Sequence, residues 1–169
     1  IVTSKEHEIP GTLPAHLIGY EGPRSPDLVM SFKWTSEVNS SGFAGHCYSI
    51  GGTPGLGQHG SMSRHEMHNV LIATGPNFKK YHQVSSPSSN ADVTPTILDI
   101  LGIAPVQYMD GRVLEEALVA NQSLDTVKWS TETHNEQFTT KKGPYKQQIT
   151  ISRAGKSLYI EEGNSHTAG

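Results

Sequence analysis

Apolar positions cluster in only a few segments of this chain, and those segments predict its regular structure. Residues 27–34, Asp-Leu-Val-Met-Ser-Phe-Lys-Trp, alternate partially between apolar and polar and predict a strand. Residues 69–74, Asn-Val-Leu-Ile-Ala-Thr, are apolar enough throughout to predict a buried strand of a parallel or mixed sheet, which a Gly-Pro pair ends. The polar, glycine-rich residues 35–63 between them predict a long loop.

The clearest helix signal in the chain covers residues 94–103. Thr94 is a good N-cap, Pro95 suits the first helical position, and Gly102 suits the position just after the helix. A second short helix is predicted over residues 112–118. The longer helix presents a broad apolar face, made of Ile97, Leu98, Ile100 and Leu101.

The pattern changes after residue 125. Residues 127–134 and 145–152 alternate with period two, and an Ala-Gly pair at 154–155 predicts a hairpin turn into a strand at 156–160. We therefore predict an α/β fold with two parts: an α/β domain over residues 1–124 and a small antiparallel β appendage over residues 125–169.

Composition excludes several classes of function. The net charge is −3 and no run of Lys or Arg exceeds two, so the sequence has no nucleic-acid footprint. No apolar stretch reaches the roughly 20 residues that span a bilayer. The single Cys47 excludes an internal disulfide and a multi-cysteine zinc site, and we expect it to be a small, half-buried residue. The chain starts at Ile1 without an initiator Met, so we expect that it was cut from a longer protein.

His59 is the main candidate for chemistry. It lies between two glycines in Gly-Gln-His-Gly-Ser-Met-Ser, residues 57–63, just before the predicted strand at 69–74. Glycines leave the backbone free to approach another group closely and leave the imidazole sterically open. Imidazole is the commonest protein ligand for transition metals, so the pattern favours a metal ligand.

Four segments in this order resemble the C-terminal part of the type I phosphodiesterase/nucleotide pyrophosphatase family, of the alkaline phosphatase superfamily. They are Gly-Gln-His-Gly-Ser-Met-Ser (57–63), Met-His-Asn-Val-Leu-Ile-Ala-Thr-Gly-Pro-Asn-Phe (67–78), Ser-Asn-Ala-Asp-Val-Thr-Pro-Thr-Ile-Leu-Asp-Ile-Leu-Gly-Ile (89–103) and Asp-Gly-Arg-Val-Leu (110–114). The resemblance covers roughly residues 20–118. It implies a partial alkaline-phosphatase-like mixed sheet with a flanking helix, followed by the C-terminal antiparallel β-hairpin.

The resemblance also implies a two-metal hydrolase of phosphodiester, pyrophosphate or phosphonate-type substrates. Such enzymes hold two divalent ions, usually zinc, around a Thr or Ser nucleophile that forms a covalent phospho-enzyme, and a late Gly-x-His-Gly histidine binds one ion. That histidine corresponds to His59. The chain has no Asp-His pair, no Asp with a His four residues on, and no recognisable nucleophile motif. We therefore expect a fragment that is inactive alone and is completed by a missing N-terminal segment.

Other candidate residues have simpler interpretations. His65 and His68 are one residue too close for a His-Glu-x-x-His protease motif; we expect His65 to be exposed, and His68 is a possible supporting residue beside the metal site. The position of Asp92 just before the predicted helix favours a capping role for its side chain. Arg24 and Arg112 have guanidinium groups that suit phosphate, but Arg112 is better explained as the anchor of a turn.

Two alternatives remain open at this stage. One is a non-catalytic interaction or assembly module that keeps the fold, with a subunit contact formed by Trp129, Tyr145 and Tyr159. The other is a sulfatase or phosphomutase relative, because fold resemblance does not fix the substrate.

Overall fold

A computed structural model describes most of the chain as two compact units. The described residues are 1–5, 9–49, 52–53, 59–121 and 127–167. The first unit comprises residues 1–69, 132–151 and 160–169, and the second comprises residues 70–131 and 152–159. The fold is mixed α/β, with small sheets and few helices. The predicted division at residue 124 stays a prediction, as does the alkaline-phosphatase-like sheet.

A small mixed sheet opens the first unit. Strand β1 (Val2–Ser4) pairs in parallel with β2 (Leu13–Pro14) and antiparallel with β3 (Leu28–Met30). A 3-10 turn at Ala15–Ile18 follows β2 and buries Leu17 and Ile18. The strand predicted over residues 27–34 is therefore present but shorter, and its last residue, Trp34, begins the next strand.

A β-hairpin corrects the prediction of a continuous loop over residues 35–63. Strand β4 (Trp34–Val38) pairs antiparallel with β5 (Ala44–Cys47). The turn is built by Asn39, whose side-chain oxygen accepts hydrogen bonds from the backbone N–H groups of Ser41 (2.9 Å) and Phe43 (3.0 Å). An Asn whose side chain binds backbone groups two to four residues later favours a turn. The prediction of a continuous loop did not take this signal into account.

The C-terminal antiparallel structure is confirmed and is a three-stranded sheet. Its strands are β6 (Trp129–Thr140), β7 (Gly143–Ala154) and β8 (Ser157–Thr167), in the order β6-β7-β8. Two-residue turns connect them, which is possible only between antiparallel strands. Hydroxyl pairs between β6 and β7 fit that register: Thr131 with Ser152 (2.9 Å) and Thr133 with Thr150 (3.0 Å).

Buried polar side chains join distant segments of the first unit. Gln147 on β7 accepts a hydrogen bond from the N–H of Val2 (2.6 Å) and donates to the carbonyls of Val2 (3.0 Å) and Gly11. Asn164 on β8 bonds both backbone groups of Trp34, whose indole N–H donates to the carbonyl of Gly163 (2.7 Å). These bonds attach the N-terminal strands to the C-terminal ones.

Two helices are described, one in each unit. Helix α1 (Arg64–Met67) belongs to the first unit and α2 (Val93–Ile100) to the second. The prediction that Thr94 is the N-cap is wrong, because a 3-10 turn at Asn90–Asp92 leads directly into α2 and Ser89 caps that turn. Gly102 does adopt the left-handed conformation expected after a helix (φ 66°). The helix predicted over 112–118 is a 3-10 turn at Glu115–Ala117.

The apolar run at residues 69–74 is not a strand, contrary to the prediction. Val70 and Ile72 are each 84 % exposed and Leu71 is 48 % exposed. Among the described residues, none pairs with the backbone of residues 70–74. A buried strand needs neighbouring strands and covering layers, and the described parts of the chain supply neither.

The predicted apolar face of α2 is likewise not buried. Thr96 is the buried residue of this helix, while Ile97 and Leu101 are about half exposed or more.

Within the described residues, no helix is both long and apolar enough to cross a membrane.

Asp92 is the residue on which we expect the second unit to depend most. Its fully buried carboxylate accepts hydrogen bonds from the N–H groups of Ser89 (2.7 Å) and Arg112 (2.8 Å) and from the hydroxyl of Tyr159 (3.2 Å). The substitution Asp92→Ala leaves these buried donors without an acceptor. We expect it to cost at least about 2 kcal/mol in free energy of unfolding, measured by urea denaturation.

The matched control is Asp99→Ala on the exposed side of α2. We expect that substitution to change stability by less than about 0.5 kcal/mol. Equal midpoints for the two variants would show that the Asp92 network does not stabilise the unit.

Candidate functional site

His59 lies exposed on a loop of the first unit, five residues before α1. Residues 59–63 lead from this histidine to α1, and Gly60 adopts a left-handed conformation (φ 91°) that side-chain-bearing residues rarely take. Gly57 and Gln58, which complete the Gly-x-His-Gly motif, lie outside the described residues. The imidazole is therefore open to solvent, as expected for a group that binds something outside the loop.

Three side chains form a hydrogen-bonded cluster around this loop: Cys47, Glu66 and Ser61, of which Ser61 belongs to the loop itself. Glu66 on α1 accepts a hydrogen bond from the backbone N–H of Ser61 (3.1 Å) and one from the thiol of Cys47 on β5 (3.1 Å). The hydroxyl of Ser61 contacts the Cys47 sulfur (3.1 Å) and accepts from the N–H of Ser63 (3.1 Å). The cluster thus connects β5, the His59 loop and α1.

Helix α1 is positioned by Ser63 at its start. Ser63 is fully buried, and its hydroxyl accepts a hydrogen bond from the N–H of His65 (3.2 Å). The sequence Ser-Arg-His-Glu has the spacing of a capping box, in which the glutamate reaches back to the cap. Here Glu66 reaches two residues further, to Ser61. The capping-box spacing was therefore the sequence signal that could have identified Glu66.

The charges in the cluster shift two pKa values in opposite directions. Burial raises the pKa of the Cys47 thiol, and the neighbouring Glu66 carboxylate raises it further, although the Ser61 hydroxyl opposes the shift. For Glu66, burial raises the pKa, but hydrogen bonds from Cys47 and Ser61 and the charge of nearby His59 outweigh burial and lower it. Glu66 is thus a carboxylate and Cys47 a neutral thiol, which argues against a nucleophilic cysteine.

The other two histidines near α1 have their own partners. His68 is within hydrogen-bond distance of the Glu161 carboxylate on β8 (2.9 Å), and exposed His65 packs edge-on against Trp34 and hydrogen-bonds Ser36 (3.1 Å). The prediction that His65 is exposed is confirmed. A supporting role for His68 at a metal site stays a prediction.

The donor set near His59 provides one part of a metal site. Over the described residues, no group of three or more His, Cys, Asp or Glu side chains is arranged to hold a metal ion. A catalytic zinc takes three protein ligands plus an open position. The exposed imidazole of His59 fits a single ligand position, and the described residues do not provide the rest, so no reaction step can be derived from them.

In the second unit, the candidate residues Arg112 and Asp92 stabilise the local structure. The guanidinium of Arg112 forms hydrogen bonds with Glu116 (2.6 and 2.9 Å), Tyr159 (3.1 Å) and the carbonyl of Pro87 (3.0 Å). Arg112 thus anchors the surrounding turns, as predicted. Asp92 is a capping residue, also as predicted, because it and Ser89 form a reciprocal capping box.

One residue of the proposed subunit contact is not available for it. Tyr159 is only 6 % exposed, and its hydroxyl donates to Asp92 and accepts from Arg112. Trp129 is 47 % exposed, and Tyr145 is half-buried. The predicted surface therefore loses Tyr159, because the packing of its own unit takes up that side chain.

Comparisons with protein-family models, with curated proteins and with solved structures give no match to this chain. The family resemblance stays an expectation from the four sequence segments.

The raised pKa of Cys47 predicts slow alkylation. A thiol reacts as the thiolate, so the midpoint of the iodoacetamide rate against pH should lie above the ordinary cysteine value in the folded chain and return to it in urea. Replacement of Glu66 by Gln removes the repelling charge and should move the folded midpoint down. The control Glu162→Gln, which alters the exposed ion pair with Arg64, should not move it. A folded midpoint equal to that in urea would contradict this account.

Proposed function

We propose that this chain is the C-terminal part of a metal-dependent phosphodiesterase/nucleotide pyrophosphatase-like hydrolase, and that His59 binds one of its two divalent ions, usually zinc. The observation that carries the proposal is the exposed imidazole of His59 on a glycine-flanked loop, backed by the Cys47–Ser61–Glu66 cluster. Neutral imidazole is a standard zinc ligand, and a loop with fixed attachments can present it. The substrate class, a phosphoester or nucleotide-type small molecule, follows from the resemblance alone.

The nucleophile and the remaining ligands come from another segment of the parent protein in this proposal. A two-metal site needs several carboxylates and histidines around a reacting atom. The sequence has no Asp-His pair and no recognisable nucleophile motif. When bound, the metal ions would stabilise charge on the phosphoryl oxygens and activate the attacking group. His59 contributes one ligand, held on its loop.

The exposed apolar surface of the second unit supports the need for such a segment. Residues 70–72 are all apolar, and among the described residues they have no backbone pairing partner. A continuous apolar run is typical of an interior strand in a sheet that is covered on both faces. The outward face of α2 adds Ile97 and Leu101. A large apolar area left in water is unfavourable, so additional polypeptide that covers it would stabilise the unit.

The first test has two parts: the DNA sequence that precedes the codon of Ile1, and the hydrolytic activity of the purified chain. We expect the DNA upstream of Ile1 to encode, in frame, an Asp ligand, a Thr or Ser nucleophile, an Asp-x-x-x-His pair and an Asp-His-Gly motif. We also expect the purified 169 residues with added zinc to hydrolyse p-nitrophenyl phosphodiesters no faster than the His59→Ala variant, because one histidine cannot build the site.

Two results would contradict the proposal. An upstream reading frame without these motifs would favour the alternative, an interaction or assembly module. Hydrolysis by the isolated chain that is lost in His59→Ala would show that the site is complete within these residues.

A further inference from the structure

We propose that Glu66 is the positioning residue for His59: with Cys47 and Ser61, its carboxylate holds the loop in the conformation that presents the imidazole. The inference rests on the proposed function, because it assigns Glu66 a role toward that ligand. Nothing in the spacing of the metal-ligand motif points to Glu66, which lies seven residues after His59 on a different element.

Both carboxylate oxygens of Glu66 accept hydrogen bonds. One oxygen accepts from the N–H of Ser61, two residues after His59, and the other accepts from the thiol of Cys47. Hydrogen bonds to a charged acceptor are about twice as strong as those between neutral groups. Glu66 thus attaches the loop to α1 on one side and to β5 on the other.

The rest of the loop is attached at separate points. The N–H of Met62 donates to the hydroxyl of Ser31 (3.1 Å), and the carbonyl of Met62 accepts from the N–H of Gly163 on β8 (2.8 Å). These bonds fix residue 62. Next toward the histidine is Ser61, whose backbone N–H donates to Glu66 and whose hydroxyl contacts Cys47. Among the described residues, these are the attachments nearest to His59.

A glycine beside the histidine makes this attachment matter for binding. Gly60 has more backbone freedom than other residues, and without a fixed neighbour the imidazole would adopt many orientations. A ligand that is ordered before the metal arrives binds it more tightly, because the ordering cost is already met.

The test uses Glu66→Gln in the full 169-residue chain, followed by NMR. A glutamine presents one neutral oxygen and one NH2 group in place of two charged oxygens, so the bond from the Ser61 N–H loses the assistance of the charge. We expect hydrogen exchange of the Ser61 amide to accelerate about tenfold or more. In a Zn²⁺ titration, we expect the concentration that half-shifts the His59 ring resonances to rise about tenfold.

The matched control is Glu162→Gln, which removes the same charge from the ion pair with Arg64 on the same unit. It should leave Ser61 exchange and the His59 titration within about twofold of the unmodified chain. Cys47→Ser retains a hydroxyl donor to Glu66 and should behave like the unmodified chain, whereas Cys47→Ala should accelerate Ser61 exchange severalfold. This pair of variants tests the cluster if Glu66→Gln destabilises the fold.

Each outcome separates the positioning role from the proposed function. Unchanged Ser61 exchange in both Glu66→Gln and Cys47→Ala would overturn the positioning role. Faster Ser61 exchange with an unaltered His59 titration would also overturn it, since the bond would then be structural only. If the His59 ring of the unmodified chain does not respond to Zn²⁺, the proposed metal role fails, and the positioning role toward that ligand fails with it, even if Glu66 still orders the loop.

Discussion

Buried polar side chains that bind the backbone of distant segments hold this structure together. Gln147 and Asn164 attach the C-terminal strands to the N-terminal region of the first unit, and Asp92 joins a helix start, a turn and a tyrosine in the second. Each such group is satisfied by good hydrogen bonds, and such groups are costly to remove because the partners would remain buried and unpaired. The Cys47–Ser61–Glu66 cluster uses the same principle to fix the loop that carries His59.

The two units differ in how well they bury their apolar residues. The first unit buries Leu13, Leu17, Trp34, Ile149 and Ile151 almost completely. The second leaves its longest apolar run and much of its helix face in contact with water, although its polar network is satisfied. An apolar run without pairing partners, in a unit whose polar groups are satisfied, is typical of one part of a larger sheet. This contrast supports the proposal that another polypeptide segment completes the domain.

Local signals predicted much of the fold, and long-range pairing explains where prediction failed. Period-two alternation identified the C-terminal strands, and Gly102 marked the end of α2, because these signals depend on neighbouring residues. The strand at 69–74 was wrong because burial depends on partners that the pattern of one segment does not contain. For the site, glycine spacing drew attention to His59. The capping-box spacing from Ser63 could have drawn attention to Glu66, but its bond to Ser61 depends on the fold of α1 against the loop, which spacing does not predict.

The most direct test of the account is the zinc content of the proposed parent enzyme, this chain joined to the proposed N-terminal segment, measured by mass spectrometry of the metal. The account predicts two zinc ions in the unmodified enzyme, about one fewer in His59→Ala, and both retained in His82→Ala, which replaces an exposed histidine outside the metal-ligand motif. A His59→Ala enzyme that keeps its full zinc content would contradict the central claim that His59 is a metal ligand.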